Sequence, residues 1–420
     1  MSASENPRGL GEAASCKAGG AAFIARRPIH DISECCWGYK ILFHIPQGSA
    51  SPDSVYSATA RGLLDGLPLL AGKNTTMRLV VPLPGRLAAK GAAWVLQEDQ
   101  TLLEVLENKP PSPQALAACR EFKAQGMQIG LRYFPKLFLL DHLLELADMV
   151  SARTADLSHT DIQRLAEEKK RFDFLLLAED LDDPGARRQA ANAGFDLFLG
   201  ETLAPPSIPH SHSFSSAEMT RLRIIRELYL DEWRIEPLSR LIRADGALCY
   251  RLLAYLNSAW FSLGEPVDSI SKALMLLGTN RLKHWLLLVV LADVADKTGS
   301  QEVLLRMAER GRLLELLAQQ RPAPLPPESM FLLGSFSLLG ELMDAPLSSV
   351  LAELPMHNAI RAAILERTGP AALWLALCES LEKGHFEALE QRLRDLSVEP
   401  AQAAQHHSQA RQWALDMLAP

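Results

Sequence analysis

The strongest constraint in this sequence is a change of period near residue 203. From Ala21 to about Leu203, short apolar runs alternate with amphipathic stretches. AFIARRPI, YKILFHI, RLVVPLP, LLEVLE, QIGLRYF, FLLLAED and LFLGE read as buried strands. Helical patterns such as SPQALAACREFKAQG and DPGARRQAANAG lie between several of them. Pro113 and Asp183-Pro184 mark helix starts, and Gly126 and Gly194 mark helix ends. Such alternation predicts a parallel sheet or a β/α barrel. Roughly 180 residues is short for eight full strand–helix units, so some units should be trimmed.

LAPPSIPHSHSFSS, from Leu203 to Ser216, is a linker by composition. Beyond it the strand signal disappears. EMTRLRIIRELYLDEW, PLSRLIRADGALCYRLLAYLNSAWF, SKALMLLG, RLKHWLLLVVLADVAD, VLLRMAERGRLLELLAQQ, ESMFLLGSFSLLGELM and NAIRAAILERTGPAALWLALCESLEKG all have helical periodicity. PAPLPP joins two of them, and AQHHSQARQWALDML reads as one more helix. The expected division is a disordered extension over 1–20, a barrel over 21–203, a linker over 204–216, a helical domain over 217–400 and a C-terminal helix over 401–420. At 420 residues, two domains with separate cores are expected.

Composition narrows the function classes. Hydrophobic content of 48% and charged content of 22% suit a soluble globular chain. A net charge of -7 offers no basic stripe for nucleic acid. Six scattered cysteines without a C-x-x-C read as reduced thiols, which places the chain in the cytoplasm. The longest apolar run, Trp285 to Ala292, is too short to span a bilayer.

GYKILFH, TLLEVLEN, FLLLAED and GFDLFLG follow, in order, the framework of the EAL domain. Residues 21–205 resemble that family, in the branch fused to an HDOD domain. The resemblance implies a barrel whose active members hydrolyse cyclic-di-GMP with two divalent cations held by acidic and amide oxygens at the strand ends. Such cations need several oxygen ligands, activate water and neutralise phosphodiester charge. Most of the implied positions are altered. The ligand glutamate of the first motif is Lys40, and the nucleotide-contacting arginine is His44. Pro82 stands for an asparagine ligand. Arg132 and Tyr133 stand for paired aspartates, Ser151 for a lysine and Leu199 for a glutamine. Glu104, Glu107 and Glu179 remain, and Asp182 replaces a second glutamate. These acids are expected to pair with Lys40 and Arg132, leaving no metal site and no cofactor. His44 lacks the always-charged fork of an arginine, so tight nucleotide binding is not expected.

The second half resembles the HDOD branch of the HD phosphohydrolases. Asp245, Asn257, Ser258, Ala259, Ile270, Ala273, Leu277 and Gly278 match that pattern. Turn and cap roles suit Asp245, Asn257 and Gly278. Ser337 and Leu338, within GSFSLLG, fall where an HD enzyme would have its His-Asp pair, so no metal site is expected there either. The one His-Asp pair, His30-Asp31, reads as a turn. His210 and His212 lie in the linker, and His406-His407 read as a solvated helix face.

The resulting reading is a catalytically inactive scaffold in a cyclic-di-GMP-related or stress-response pathway. It would bind other signalling proteins, with a homodimer as one option, and would neither bind nucleic acid nor insert in a membrane. A non-hydrolysing nucleotide sensor, using a basic mouth of Lys40, Arg132 and His44, is the alternative. An active phosphodiesterase with unusual ligands ranks third.

Overall fold

The computed structural model describes residues 22–44, 46, 78–85, 101–105, 111–134, 137, 140–181, 184–200, 222, 225–226, 279–298, 301–354 and 356–418. Asp245, Asn257, Ser258, Ala259, Gly278, Glu107, Asp182, His210, His212, the N-terminal extension and the linker lie outside these residues.

Eight strands close into a barrel in chain order. They are β1 (Phe23–Asp31), β2 (Cys36–His44), β3 (Arg78–Leu83), β4 (Thr101–Val105), β5 (Gln128–Arg132), β6 (Met149–Arg153), β7 (Leu175–Glu179) and β8 (Leu197–Phe198). Neighbours from β2 to β8 are parallel, whereas β1 runs antiparallel to both β2 and β8. Much of the expected trimming is here. A four-residue turn, not a helix, joins β1 to β2, and Asp31 Oδ1 accepts from the Ser33 and Cys35 amides at 2.8 and 3.0 Å. His30-Asp31 therefore ends a strand and shapes its turn.

The outer helices follow local signals. α1 (Pro113–Ala124) starts on Ser112, whose hydroxyl accepts from the Ala115 amide, and Gly126 follows its end at φ +95°. α2 (Asp141–Leu144) is a single turn. α3 (His159–Phe172) opens with a Ser158/Asp161 capping box. α4 (Pro184–Asn192) precedes Gly194, also at φ +95°. The strand β6 was absent from the apolar runs, because MVSAR carries a serine and an arginine. Ser151 is tolerated in a buried strand because its hydroxyl donates to Glu104. Ile29, Val80, Leu102, Met149, Leu177, Leu197 and Leu199 fill the barrel interior.

The helical half contains α5 (Thr279–Thr298), α6 (Gln301–Gln320), α7 (Pro327–Phe336), α8 (Leu339–Leu342), α9 (Leu347–Ala352), α10 (Asn358–Arg361), α11 (Pro370–Glu382), α12 (Phe386–Asp395) and α13 (Pro400–Leu418). Two expected helices are broken. ESMFLLGSFSLLGELM divides at Ser337-Leu338 into α7 and α8. NAIRAAILERTGPAALWLALCESLEKG divides at Arg367 (φ 56°) and Gly369 (φ 80°), just before Pro370. Proline disfavours helical backbone at the preceding residue, so the Gly-Pro pair sets that break. The apolar run of α5 is core, with Leu282 and Leu286 to Leu288 fully buried.

Two expectations need correction. His406 and His407 are not a solvated face: both are buried, because α13 packs along α6 within the helical core. The two halves keep separate cores with one exception. Phe23, on β1, is buried within the helical cluster and lies 6.3 Å from the His407 ring.

Burial pushes the His407 imidazole down to about 3, and burial with Arg312 and Lys283 does the same to His284. A histidine whose folded pKa is lowered stays neutral while the unfolded chain takes up protons. Stability should therefore fall as pH drops from about 6.5 toward 3, by up to ~1.4 kcal/mol per pH unit per histidine. Urea midpoints at pH 7 and pH 5 check this; equal midpoints would show that neither ring is held neutral.

Candidate functional site

Side chains two residues apart on a strand point the same way. The inward-facing rows that hold Val80, Leu102, Met149, Leu177 and Leu197 therefore continue upward to Pro82, Glu104, Ser151, Glu179 and Leu199. Lys40 and Arg132 project into the same space from β2 and β5. This end of the barrel is the C-terminal end of the parallel strands, where barrel chemistry is placed.

The geometry there is an ion cluster. Lys40 Nζ lies 2.8 Å from Glu104 Oε1 and 2.7 Å from Glu104 Oε2, and it also donates to Glu179. Arg132 Nη2 reaches Glu179 Oε2 at 3.3 Å. Ser151 donates to Glu104. Lys40 is 1% exposed and Glu104 0% exposed, so the charges meet almost out of water. Burial alone would raise the Glu179 pKa, but Lys40 and Arg132 outweigh it and hold the carboxyl below its ordinary range. Two cations and two carboxylates cancel.

A pair of divalent metal ions, as the sequence resemblance implies, does not fit these residues. Glu104 and Glu179 supply carboxylate oxygens, but the Lys40 ammonium already lies between them. A divalent ion about 4 Å from that ammonium would meet ~8 kcal/mol of repulsion at an effective dielectric near 20. Among the described residues, no group of three or more His, Cys, Asp and Glu side chains converges for a metal.

Two sequence-derived positions behave differently. Tyr133 follows Arg132 by one residue and so faces out; its phenol meets Asp161 at the start of α3, and burial with that contact raises its pKa. His44 is not a mouth residue. It stacks on Phe386 at 4.7 Å and bonds Glu390 at 2.9 Å, both on α12. The expected basic mouth is thus corrected: Lys40 and Arg132 are engaged by acids, and His44 by the helical half.

Arg27 was missed. It pairs in register with Lys40 and lies 3.6 Å from Asp180. The alternation rule applied to β1 would have found it. In the helical half, Ser337 Oγ donates to the Gly334 carbonyl and accepts from Arg310, which also grips Glu382 with Nε at 2.7 Å. Leu338 is buried. These are structural contacts at the helix break.

Comparison with known proteins joins the two halves. Residues 216–353 match the HDOD domain family. The chain carries an HDOD domain in its helical half. The "Cyclic di-GMP phosphodiesterase CdgJ" of Vibrio cholerae is 26% identical over 406 residues, covering 94% of this chain and 93% of that protein. The "Uncharacterized protein YuxH" of Bacillus subtilis is 25% identical over 411 residues, covering 94% and 98%. The EAL domain of Mycobacterium smegmatis DcpA is 14% identical, with a TM-score of 0.37, covering 44% of this chain and 93% of that one. The HDOD match ends at 353, so α10 to α13 lie beyond it. No helix among the described residues is long and apolar enough to cross a membrane.

Proposed function

We propose that this HDOD-domain protein is a non-hydrolysing signalling scaffold that works through protein–protein contacts. One observation carries the reading: the Lys40 ammonium sits between Glu104 and Glu179 where hydrolysis would need cations. The likeness to CdgJ over most of both chains supports a cyclic-di-GMP-related pathway. The charge balance of the mouth argues against the sensor alternative, because Lys40 and Arg132 are engaged by carboxylates and not offered to phosphates.

The test is incubation of the full chain with cyclic-di-GMP and Mg²⁺ or Mn²⁺, with calorimetry and product analysis. No linear dinucleotide and no heat are expected. Heat without product would favour the sensor, and product would overturn the inactive reading. Partner capture should also use the full chain, since removing the barrel would strip Phe23 from the helical core. Failure of any partner to bind stably would sink the scaffold reading.

A further inference from the structure

The β1–β2 hairpin is longer than the barrel needs. Among the described residues, β2 pairs with β3 only through Gly38, Tyr39 and Lys40, and β1 pairs with β8 only through His30 and Asp31. Phe23 to Arg26 and Ile41 to His44 pair with each other beyond those contacts, as a two-stranded overhang. An isolated ribbon of this kind is marginal in water. Here the helical domain holds it from both faces.

On the face shared with Lys40, His44 stacks on Phe386 with rings 10° apart and bonds Glu390. Phe23 enters the helical core. Leu42 lies against Gly384, where an added Cβ would come within 2.4 Å of Leu42 Cδ1. On the opposite face, Tyr39 donates to Glu302 and Arg26 lies 3.5 Å from the same carboxylate, at the start of α6. One strand thus carries Lys40 in the mouth and, two and four residues on, Leu42 and His44 in the helical domain.

We propose that this hairpin is a strut coupling the barrel mouth to the helical domain, with His44, Phe386 and Glu390 as its latch. No loop separates Lys40 from His44 to absorb a displacement. The approach at Gly384 leaves little slack, and packed interfaces respond by switching arrangement more readily than by deforming smoothly. A change in the ion pairs of the mouth therefore shifts Leu42 and His44 against α12. Release of the latch uncovers Phe386, Leu42 and Phe23. The inference rests on the seam alone and holds whether or not the mouth hydrolyses a nucleotide.

The test is hydrogen exchange on the full chain, with α1 as an internal reference remote from the seam. His44→Ala should speed exchange in Cys36–His44 and in Phe386–Asp395 by about tenfold, the scale of a lost stacked and hydrogen-bonded contact, leaving α1 unchanged. Lys40→Met should also speed exchange in Phe386–Asp395. Should Lys40→Met fail to fold, Arg132→Gln perturbs the same cluster more gently through Glu179. Ile32→Ser, at the exposed hairpin turn, should change nothing in α12. The strut is overturned if mouth variants leave Phe386–Asp395 as protected as in the parent. It is equally overturned if, in His44→Ala and Arg132→Gln, exchange there rises only in step with α1, which would be general destabilisation.

Discussion

Lys40→Met should lower the unfolding midpoint of the barrel by roughly 6–20 °C. The substitution keeps a long side chain but leaves Glu104 buried without a cation and Glu179 with Arg132 alone. Removing one partner of a buried ion pair costs about 3–5 kcal/mol. At about 2–4 °C per kcal/mol for a domain of this size, that gives the range stated. It is also a large share of the ~5–15 kcal/mol by which a domain is stable. Adding Glu104→Gln and Glu179→Gln should recover much of the loss, because the buried groups are then uncharged and the one charge left, Arg132, is partly exposed to water. Thermal melts of the three proteins decide the matter. A single variant as stable as the parent would show that the cluster is not held as a buried ion pair.

The same cluster sets an acid response. The folded pKa of Glu179 lies below its ordinary value of 4.5, so its contribution is present above that value. That contribution is lost as pH falls below 4.5 through the folded pKa. In Lys40→Met that lowering weakens, because Lys40 no longer opposes burial beside Arg132, so mild acidification should narrow the gap to the parent protein.

Phe23→Ala should destabilise the helical domain by about 3–5 kcal/mol, the cost of emptying a phenylalanine site in a core. The prediction is counter-intuitive for a residue on the first barrel strand. It follows from the 1% exposure of Phe23 and its place among the helical core side chains, with His44 at 6.4 Å and His407 at 6.3 Å. Chemical denaturation monitored together with proteolysis of α11 to α13 measures it. Faster cleavage within the barrel alone, with the helices as resistant as before, would refute the place of Phe23 in the helical core.

Both effects show how unevenly the site could be read from the chain. The identities of the mouth residues were legible, because strands alternate and motif order fixes which residues share a row. Lys40, Pro82, Glu104, Arg132, Ser151, Glu179 and Leu199 all fall on inward-facing positions or in the cluster they form. Tyr133 was grouped with Arg132 by adjacency, yet adjacency on a strand means opposite faces. His44 was placed by motif as a nucleotide-facing residue, but nothing in a local pattern says that β2 runs on past the barrel into a helical neighbour.

The histidines of α13 make the same point. QHHSQ looks polar, and its period allows an exposed face. Whether that face meets water depends on where α6 and β1 come to rest, which is a long-range fact. Helix breaks were only half visible: Gly369-Pro370 announces itself, whereas Ser337-Leu338 breaks a continuous apolar pattern.

The sequence by itself determined the period of each half and the residue types, Lys40 and Arg132 among them, that fall at the barrel mouth. These are local properties, set by side-chain spacing and chemistry. The tertiary structure alone decided that the ammonium of Lys40 bridges two particular carboxylates, that Phe23 belongs to the helical core and that His44 closes on α12. Those contacts join residues from 64 positions apart, Lys40 to Glu104, up to 384 apart, Phe23 to His407, and they exist only once barrel closure and domain docking have brought the distant segments together.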